Sequence, residues 1–395
     1  MKRCSKFTII GISFTVIIFL GLFSSQTVAC GGFKRREYWP GWFSWRQTSP
    51  ERQNMNSSKI EEMYDFVEAN GIDIHSALII RNGYIVNEEY LNDSKRMEQK
   101  SYEWPEADPF IQLRDGRLHC LWSATKSVVS LLTGIAIEQG LFDLNTTFFE
   151  VFPDRWNSTL YGDHGPENLG DAKLDITVEN LLLQNTGIEW DELGYWWDWY
   201  FTDFNLDYYL TRNMSYVPGS DDYDAWTYSS GNQEMLSVMI ANKSGMTMAD
   251  FARKYLFRPL KIRDSEWDWW EGASAWGTGD LAIKNHGGFG LFMTHRAMAR
   301  IGLMCLNDGK WRSYLGWRQV VSKEWIEVST SVQISKWFGG LNYGYLWWPY
   351  DNYYSAIGLA GQQIIVIPED NIVVVFTADD DRSGSLIDFI LDAVL

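Results

Sequence analysis

Leu121-Trp122-Ser123-Ala124-Thr125-Lys126-Ser127 runs straight into Val128, Leu131, Leu132, Ile135 and Ile137, an apolar stripe of helical period that ends near Gly140. The pattern predicts a helix with a serine at its mouth and a lysine three residues further on. Residues three apart share a helix face, so the amine of Lys126 reaches the hydroxyl of Ser123. A serine hydroxyl becomes a useful nucleophile only when a nearby base takes its proton. The first-turn amides also favour negative charge at that end of the helix. From these residues alone two readings stay open: a nucleophile with its base, or a capping serine followed by a solvated lysine.

The rest of the chain narrows the choice. It has 395 residues and a formal net charge of −17, a balance that repels nucleic acid and suits a neutral or cationic small substrate. The five histidines (His75, His119, His164, His286, His295) are scattered and form no zinc-type spacing, so neither a metal nor another cofactor is expected. Twenty-one tryptophans point to aromatic walls as well as core.

At the N-terminus, Lys2, Arg3 and Lys6 precede an apolar run from Phe7 to Phe23, and Thr27-Val28-Ala29 offers small residues before Cys30. Residues 1–30 are thus expected to be a signal peptide or an N-terminal membrane anchor, with cleavage, retention and lipidation of Cys30 all open. In each case the body lies outside the cytoplasm, and membrane association would run through this segment. Six N-x-[ST] triplets, at Asn56, Asn92, Asn145, Asn157, Asn213 and Asn242, are compatible with an exported surface. Cys120 and Cys305 fall in apolar runs, either as a pair or as buried thiols.

Residues 31–58 are expected to be a linker whose aromatic cluster (Tyr38, Trp39, Trp42, Phe43, Trp45) packs on the body or at a membrane. Residues 59–395 form the folded domain. Lys59 to Asn70 has a helical period. Ser76 to Ile80 and Tyr84 to Val86 flank the turn Arg81-Asn82-Gly83, a hairpin signal. The middle, to about Pro259, is helical and loop-like. Strands return at Tyr343 to Trp348, Gln363 to Ile367 and Ile372 to Thr377, before a closing helix from Ser385. The expected architecture is α/β (α+β): a mixed, mostly antiparallel sheet built from both ends of the chain, flanked by helices, with a helical lobe inserted.

Several motifs follow Ser123 and Lys126 in order: Leu181-Leu182-Leu183-Gln184-Asn185-Thr186-Gly187, Pro218-Gly219, Tyr228-Ser229-Ser230-Gly231-Asn232, Phe257-Arg258-Pro259-Leu260, Met293-Thr294-His295-Arg296 and Tyr343-Gly344-Tyr345-Leu346-Trp347-Trp348. In this set the body resembles the serine β-lactamase and penicillin-binding-protein superfamily. It is similar to the branch with class C β-lactamases, esterases and 6-aminohexanoate-dimer hydrolases. The resemblance implies a Ser-Lys-Tyr acyl-enzyme mechanism on an amide or ester. Ser123 is the nucleophile, Lys126 or Tyr228 the base, and Tyr228 the relay to the leaving group. Ser230 stands where many relatives carry asparagine. Gly361 and Gln362 fall in the third motif, Gln362 contributing an oxyanion amide with Ser123. Leu359 replaces the family's lysine or histidine, which counts against a strong β-lactamase or a D-amino-acid peptidase.

Trp196 and Trp197 belong to an aromatic stretch between the first two motifs, expected either to line the substrate mouth or to form a subdomain core. A non-catalytic binding protein on the same fold is the rival from another class. The sequence sets no oligomeric state.

Overall fold

The structure, a computed structural model, describes residues 38–91, 118–195, 205–221, 225–273, 276, 283–313, 315–337 and 341–395. The expected leader at residues 1–30 and the pair Trp196 and Trp197 lie outside the described residues.

Six antiparallel strands form the main sheet. In chain order they are β1 (Ile74–Arg81), β2 (Tyr84–Tyr90), β3 (Trp348–Pro349), β4 (Tyr354–Gly358), β5 (Gln362–Ile367) and β6 (Ile372–Ala378). Their spatial order is β3-β4-β5-β6-β1-β2, so the last strand of the chain lies beside the first. Leu78 faces Val375 and Ile80 faces Val373 across that seam. The β1–β2 turn carries Asn82 at φ 53° and Gly83 at φ 79°, the pair of left-handed residues that a tight hairpin requires.

Both faces of the sheet are covered, which explains the unbroken apolar runs in β1 and β6. Side chains alternate across a strand. Leu78, Ile80, Val373 and Val375 join one core with α2 (Ala124–Glu138) and α4 (His295–Leu306), while Ala77, Ile79, Val374 and Phe376 join a second with α1 (Ser57–Asn70) and α5 (Ile387–Asp392). The helix α3 (Ser230–Ser244) packs beside α2 at the inserted lobe. Nearly every residue of α2 is buried, so this helix is the fold's central post rather than a surface element. Cys120 and Cys305 are buried thiols rather than a disulfide pair.

Two expectations change. Residues 38–58, expected to be a linker, are docked on the body within one compact unit, Glu37–Leu395. Gln47 bridges Ile85, and Trp45 is buried with its Nε1–H donated to Gly83 O at 2.8 Å. The buried Arg300 guanidinium holds the same strap. It donates to Gly41 O at 2.7 Å and lies 5.2 Å from the Trp45 ring. Of the two destinations open for the aromatic cluster, Trp39 and Trp45 take the core, while Trp42 and Phe43 stay exposed.

The second change is at Tyr343 to Trp348, which is not one strand. A short strand ends at Tyr343 and β3 starts at Trp348, with Leu346 between them in the left-handed region at φ 63°. The run is apolar because it is a buried turn: Ser127 Oγ on α2 donates to Leu346 O at 2.7 Å.

If the strap is part of the fold, Trp45→Ala lowers unfolding stability by about 3 kcal/mol, the usual cost of emptying a large aromatic site. Denaturant unfolding checks this. A loss below about 1 kcal/mol would make residues 38–48 a passive tail.

Candidate active site

Ser123 sits at the entry of α2 but caps nothing. Its φ of −63° and ψ of −16° are already helical, and its side chain makes no capping bond, which removes the capping-serine reading. The preceding Trp122 is held at φ 46°, a conformation that costs a bulky residue on the order of 1–2 kcal/mol. Ala124 N bonds Leu121 O and Thr125 N bonds Trp122 O, both at 3.0 Å. This tight, strained turn leaves Ser123 half-exposed in an otherwise buried stretch. Strain of this kind persists only where the surroundings enforce it.

Lys126 is buried. Its Nζ lies 3.1 Å from Ser123 Oγ, 2.9 Å from Ser230 Oγ and 2.8 Å from Gly288 O. It also stands 4.7 Å from the centroid of the Tyr228 ring. Burial lowers its pKa to about 8, against the opposing pull of the Glu192 and Glu234 carboxylates. An amine poised there has a fraction in its basic form near neutral pH far larger than that of a solvated lysine.

Tyr228 precedes α3, and Ser230 is that helix's first residue, capped by Ser229 Oγ accepting from Gly231 N at 3.1 Å. Burial and the Glu192 carboxylate push the Tyr228 phenol above its ordinary range, while a hydrogen bond with Ser123 pulls it back. Tyr228 is therefore a neutral donor at ordinary pH, suited to passing a proton and unsuited to starting as a phenolate.

The Gly288 carbonyl comes from the segment Asn285-His286-Gly287-Gly288. A Cβ at Gly288 would stand 2.6 Å from Ser230 Cβ, so glycine is what lets this loop reach α3. Beneath it is a buried charge cluster. Glu234 lies 3.6 Å from Lys284 and 3.4 Å from His286 Nδ1. Burial raises the Glu234 pKa, but Lys284 and the interactions with His286 outweigh it and hold the group below the ordinary carboxylate value. The double glycine was the available sequence signal for this loop.

Glu192 is the second group that sequence reasoning missed. Its Oε2 accepts from Trp190 Nε1 at 2.7 Å and from Ser230 N at 2.9 Å. Its Oε1 accepts from the Ser230 hydroxyl and lies 4.0 Å from Lys126 Nζ. Hidden among tryptophans and tyrosines, it offered no spacing signal.

Gly361 and Gln362, assigned to the third motif, lie at the β4–β5 turn. Gln362 lies on β5, opposite Gly358, and its Nε2 donates to Ala378 O and to Ala360 O. Gly361, at φ 85°, lies against Asp380 O and Ser383 Oγ. Both serve the β4–β5 turn and its docking on the C-terminal segment. The residue that touches the nucleophile turn is Gly358. A Cβ there would be 2.0 Å from Leu121 O and 3.1 Å from Ala124 N. Leu359 follows it, with 42% of its surface exposed at the strand end.

The described aromatic cluster beside Tyr228 consists of the buried Trp226 and Tyr343 and the half-buried Trp348, with ring centroids 6.0 Å (Trp226) and 6.3 Å (Trp348) from Tyr228. Tyr343 lies 4.7 Å from Trp348. Among the described residues no cluster of His, Cys, Asp and Glu is arranged to hold a metal ion.

A family model described as Beta-lactamase matches residues 66–392. Among solved structures, a penicillin-binding-protein homolog from Caulobacter crescentus superposes with a TM-score of 0.59 at 17% identity, over 88% of this chain and 98% of that one. A Bacillus anthracis protein named as a 6-aminohexanoate-dimer hydrolase gives 0.59 at 17% identity, over 83% and 80%. A family VIII carboxylesterase gives 0.57 at 14% identity, over 85% and 97%. A search of curated protein sequences finds no significant match.

The contact at Gly358 is testable. Gly358→Ala forces β4 away from the Ser123 turn, and serine reactivity is expected to fall by about 100-fold, as for other displacements near 1 Å. The rate of reaction with a serine-directed probe measures it. An unchanged rate would remove β4 from the site.

Proposed function

The chain belongs to the β-lactamase family of serine hydrolases, and from that premise we propose that it cleaves a neutral ester or amide through a serine acyl-enzyme. The observation that carries this reading is the buried Lys126 amine, held near pKa 8 and 3.1 Å from Ser123 Oγ. Neutral Lys126 takes the Ser123 proton as Oγ attacks the carbonyl carbon. The oxyanion forms against backbone amides at the α2 entry and the β4 end: that of Ser123 and, in place of Gln362, that of Leu359. Collapse of the tetrahedral adduct expels the leaving group, protonated through Tyr228, with the Lys126 ammonium restoring the phenol proton. Water then attacks the acyl-enzyme and the same groups work in reverse.

Charge supports the neutral substrate class. Glu192 lies beside Lys126 and Ser230, and the side chain at the exposed β4 end is Leu359. A substrate carboxylate beside Ser230 would meet an acidic neighbour, and Leu359 offers it no cation. The half-buried Trp348 supplies an apolar contact beside Tyr228. We also propose an extracytoplasmic location, supported by the basic and apolar segment at residues 2–23. Among the described residues no helix is long and apolar enough to cross a membrane.

The full chain, incubated with a fluorophosphonate probe, is expected to gain one adduct by intact mass, and Ser123→Ala none. Because the base must be unprotonated, the labelling rate rises with pH through about 8. Lys126→Ala should lose that limb. An unlabelled parent protein would overturn the reading in favour of a non-catalytic protein.

Neutral p-nitrophenyl acyl esters are expected to be hydrolysed at least about tenfold faster, in kcat/KM, than esters whose acyl chain ends in a carboxylate. Equal rates would sink the neutral-substrate assignment.

A further inference from the structure

Lys126, as a neutral amine, has two N–H bonds and one lone pair. Three oxygens surround its Nζ: Gly288 O, Ser230 Oγ and Ser123 Oγ. The carbonyl can only accept. Each hydroxyl can either accept an amine hydrogen or donate into the lone pair. If Ser230 donated, it would occupy the lone pair that Ser123 needs. The direction of the Ser230 hydroxyl therefore decides whether Lys126 can act as the base for Ser123.

Glu192 settles that direction. The Ser230 hydroxyl donates to Glu192 Oε1, so its oxygen is left to accept from Lys126 at 2.9 Å. The carboxylate cannot turn away, because Oε2 is fixed by Trp190 Nε1 and by the backbone N–H of Ser230 itself. We propose that Glu192 is a positioning residue that fixes the polarity of the Ser230 hydroxyl and so keeps the Lys126 lone pair for Ser123. The inference rests on the reading of Lys126 as base. The Glu192 carboxylate additionally raises the Lys126 pKa against the effect of burial, so its charge and its geometry leave separate signatures.

Glu192→Gln separates them. Two N–H donors face the Oε2 position, so the amide oxygen must take that place and the NH2 group must face Ser230 Oγ. The NH2 donates, the Ser230 hydroxyl turns its hydrogen toward Lys126, and the lone pair is captured. The fluorophosphonate labelling rate of the full chain, measured across pH, is the readout. On the alkaline plateau it is expected to fall by about tenfold or more, and the midpoint of the rising limb is expected to shift to lower pH. In a Ser230→Ala background, where no hydroxyl remains to be oriented, adding Glu192→Gln should cause no further plateau loss.

Unchanged plateau and midpoint in Glu192→Gln would overturn the proposal. So would a plateau loss with an unmoved midpoint, the pattern of a merely structural defect, or a full additional loss in the double variant. If the parent protein is not labelled, the acyl-transfer reading fails first and takes this inference with it. A labelled parent with an indifferent Glu192→Gln leaves that reading intact and removes this one.

Discussion

Burying an amine is the constraint around which this site is built. A charged lysine in an apolar interior is costly, and the cost is relieved by losing the proton or by finding partners. Lys126 does some of each: three oxygens surround it, and burial brings its pKa down to about 8. Each oxygen comes from a different part of the chain. Ser123 precedes α2, Ser230 opens α3, and Gly288 belongs to a loop seated on the buried Glu234, Lys284 and His286. The amine thus ties the nucleophile helix to the inserted lobe. Removing any one partner would leave a buried polar group unmatched.

The sheet supplies the fourth side. β4 comes so close to the nucleophile turn that only glycine fits at position 358, where an added Cβ would lie 2.0 Å from Leu121 O. With Trp122 held at φ 46° on the other flank, the serine is clamped in a turn that neither neighbour would adopt alone. The geometry is fixed by packing on both faces of the sheet. The nucleophile turn therefore rests on the sheet core, while Tyr228 and Ser230 reach it from the inserted lobe.

Local periodicity made the framework legible. The α2 stripe, the Asn82-Gly83 hairpin and the apolar runs of β1, β5 and β6 are short-range signals, and the structure realises them within one or two residues. Ser123, Lys126, Tyr228 and Ser230 come together as their order along the chain implied. What escaped was set by contacts between distant segments. Glu192 matters because Ser230 and Trp190 donate to it, and no spacing records that. The Gln362 side chain bonds to Ala378 O on the neighbouring strand, a contact that no motif records. The strap at 38–48 lacks a period because tryptophan docking and Arg300, rather than a regular element, attach it. Tyr343 to Trp348 has the composition of a strand but is a turn fastened to α2 through Leu346 O.

The seam between the first and last strands has a consequence for how the molecule is made. The hydroxyls of Ser76 and Thr377 meet at 2.6 Å although 301 positions separate them along the chain. During synthesis β1 and β2 emerge early as a hairpin whose apolar inner edge has no neighbour until β6 is complete. Long-range pairing of this kind is slow and leaves an unpaired edge open to association with other chains. A product terminated before Ile372 would lack β6 altogether, leaving β1 and β5 each with a bare edge. Formation of β6, rather than the chemistry of the serine, is therefore the step that closes the sheet.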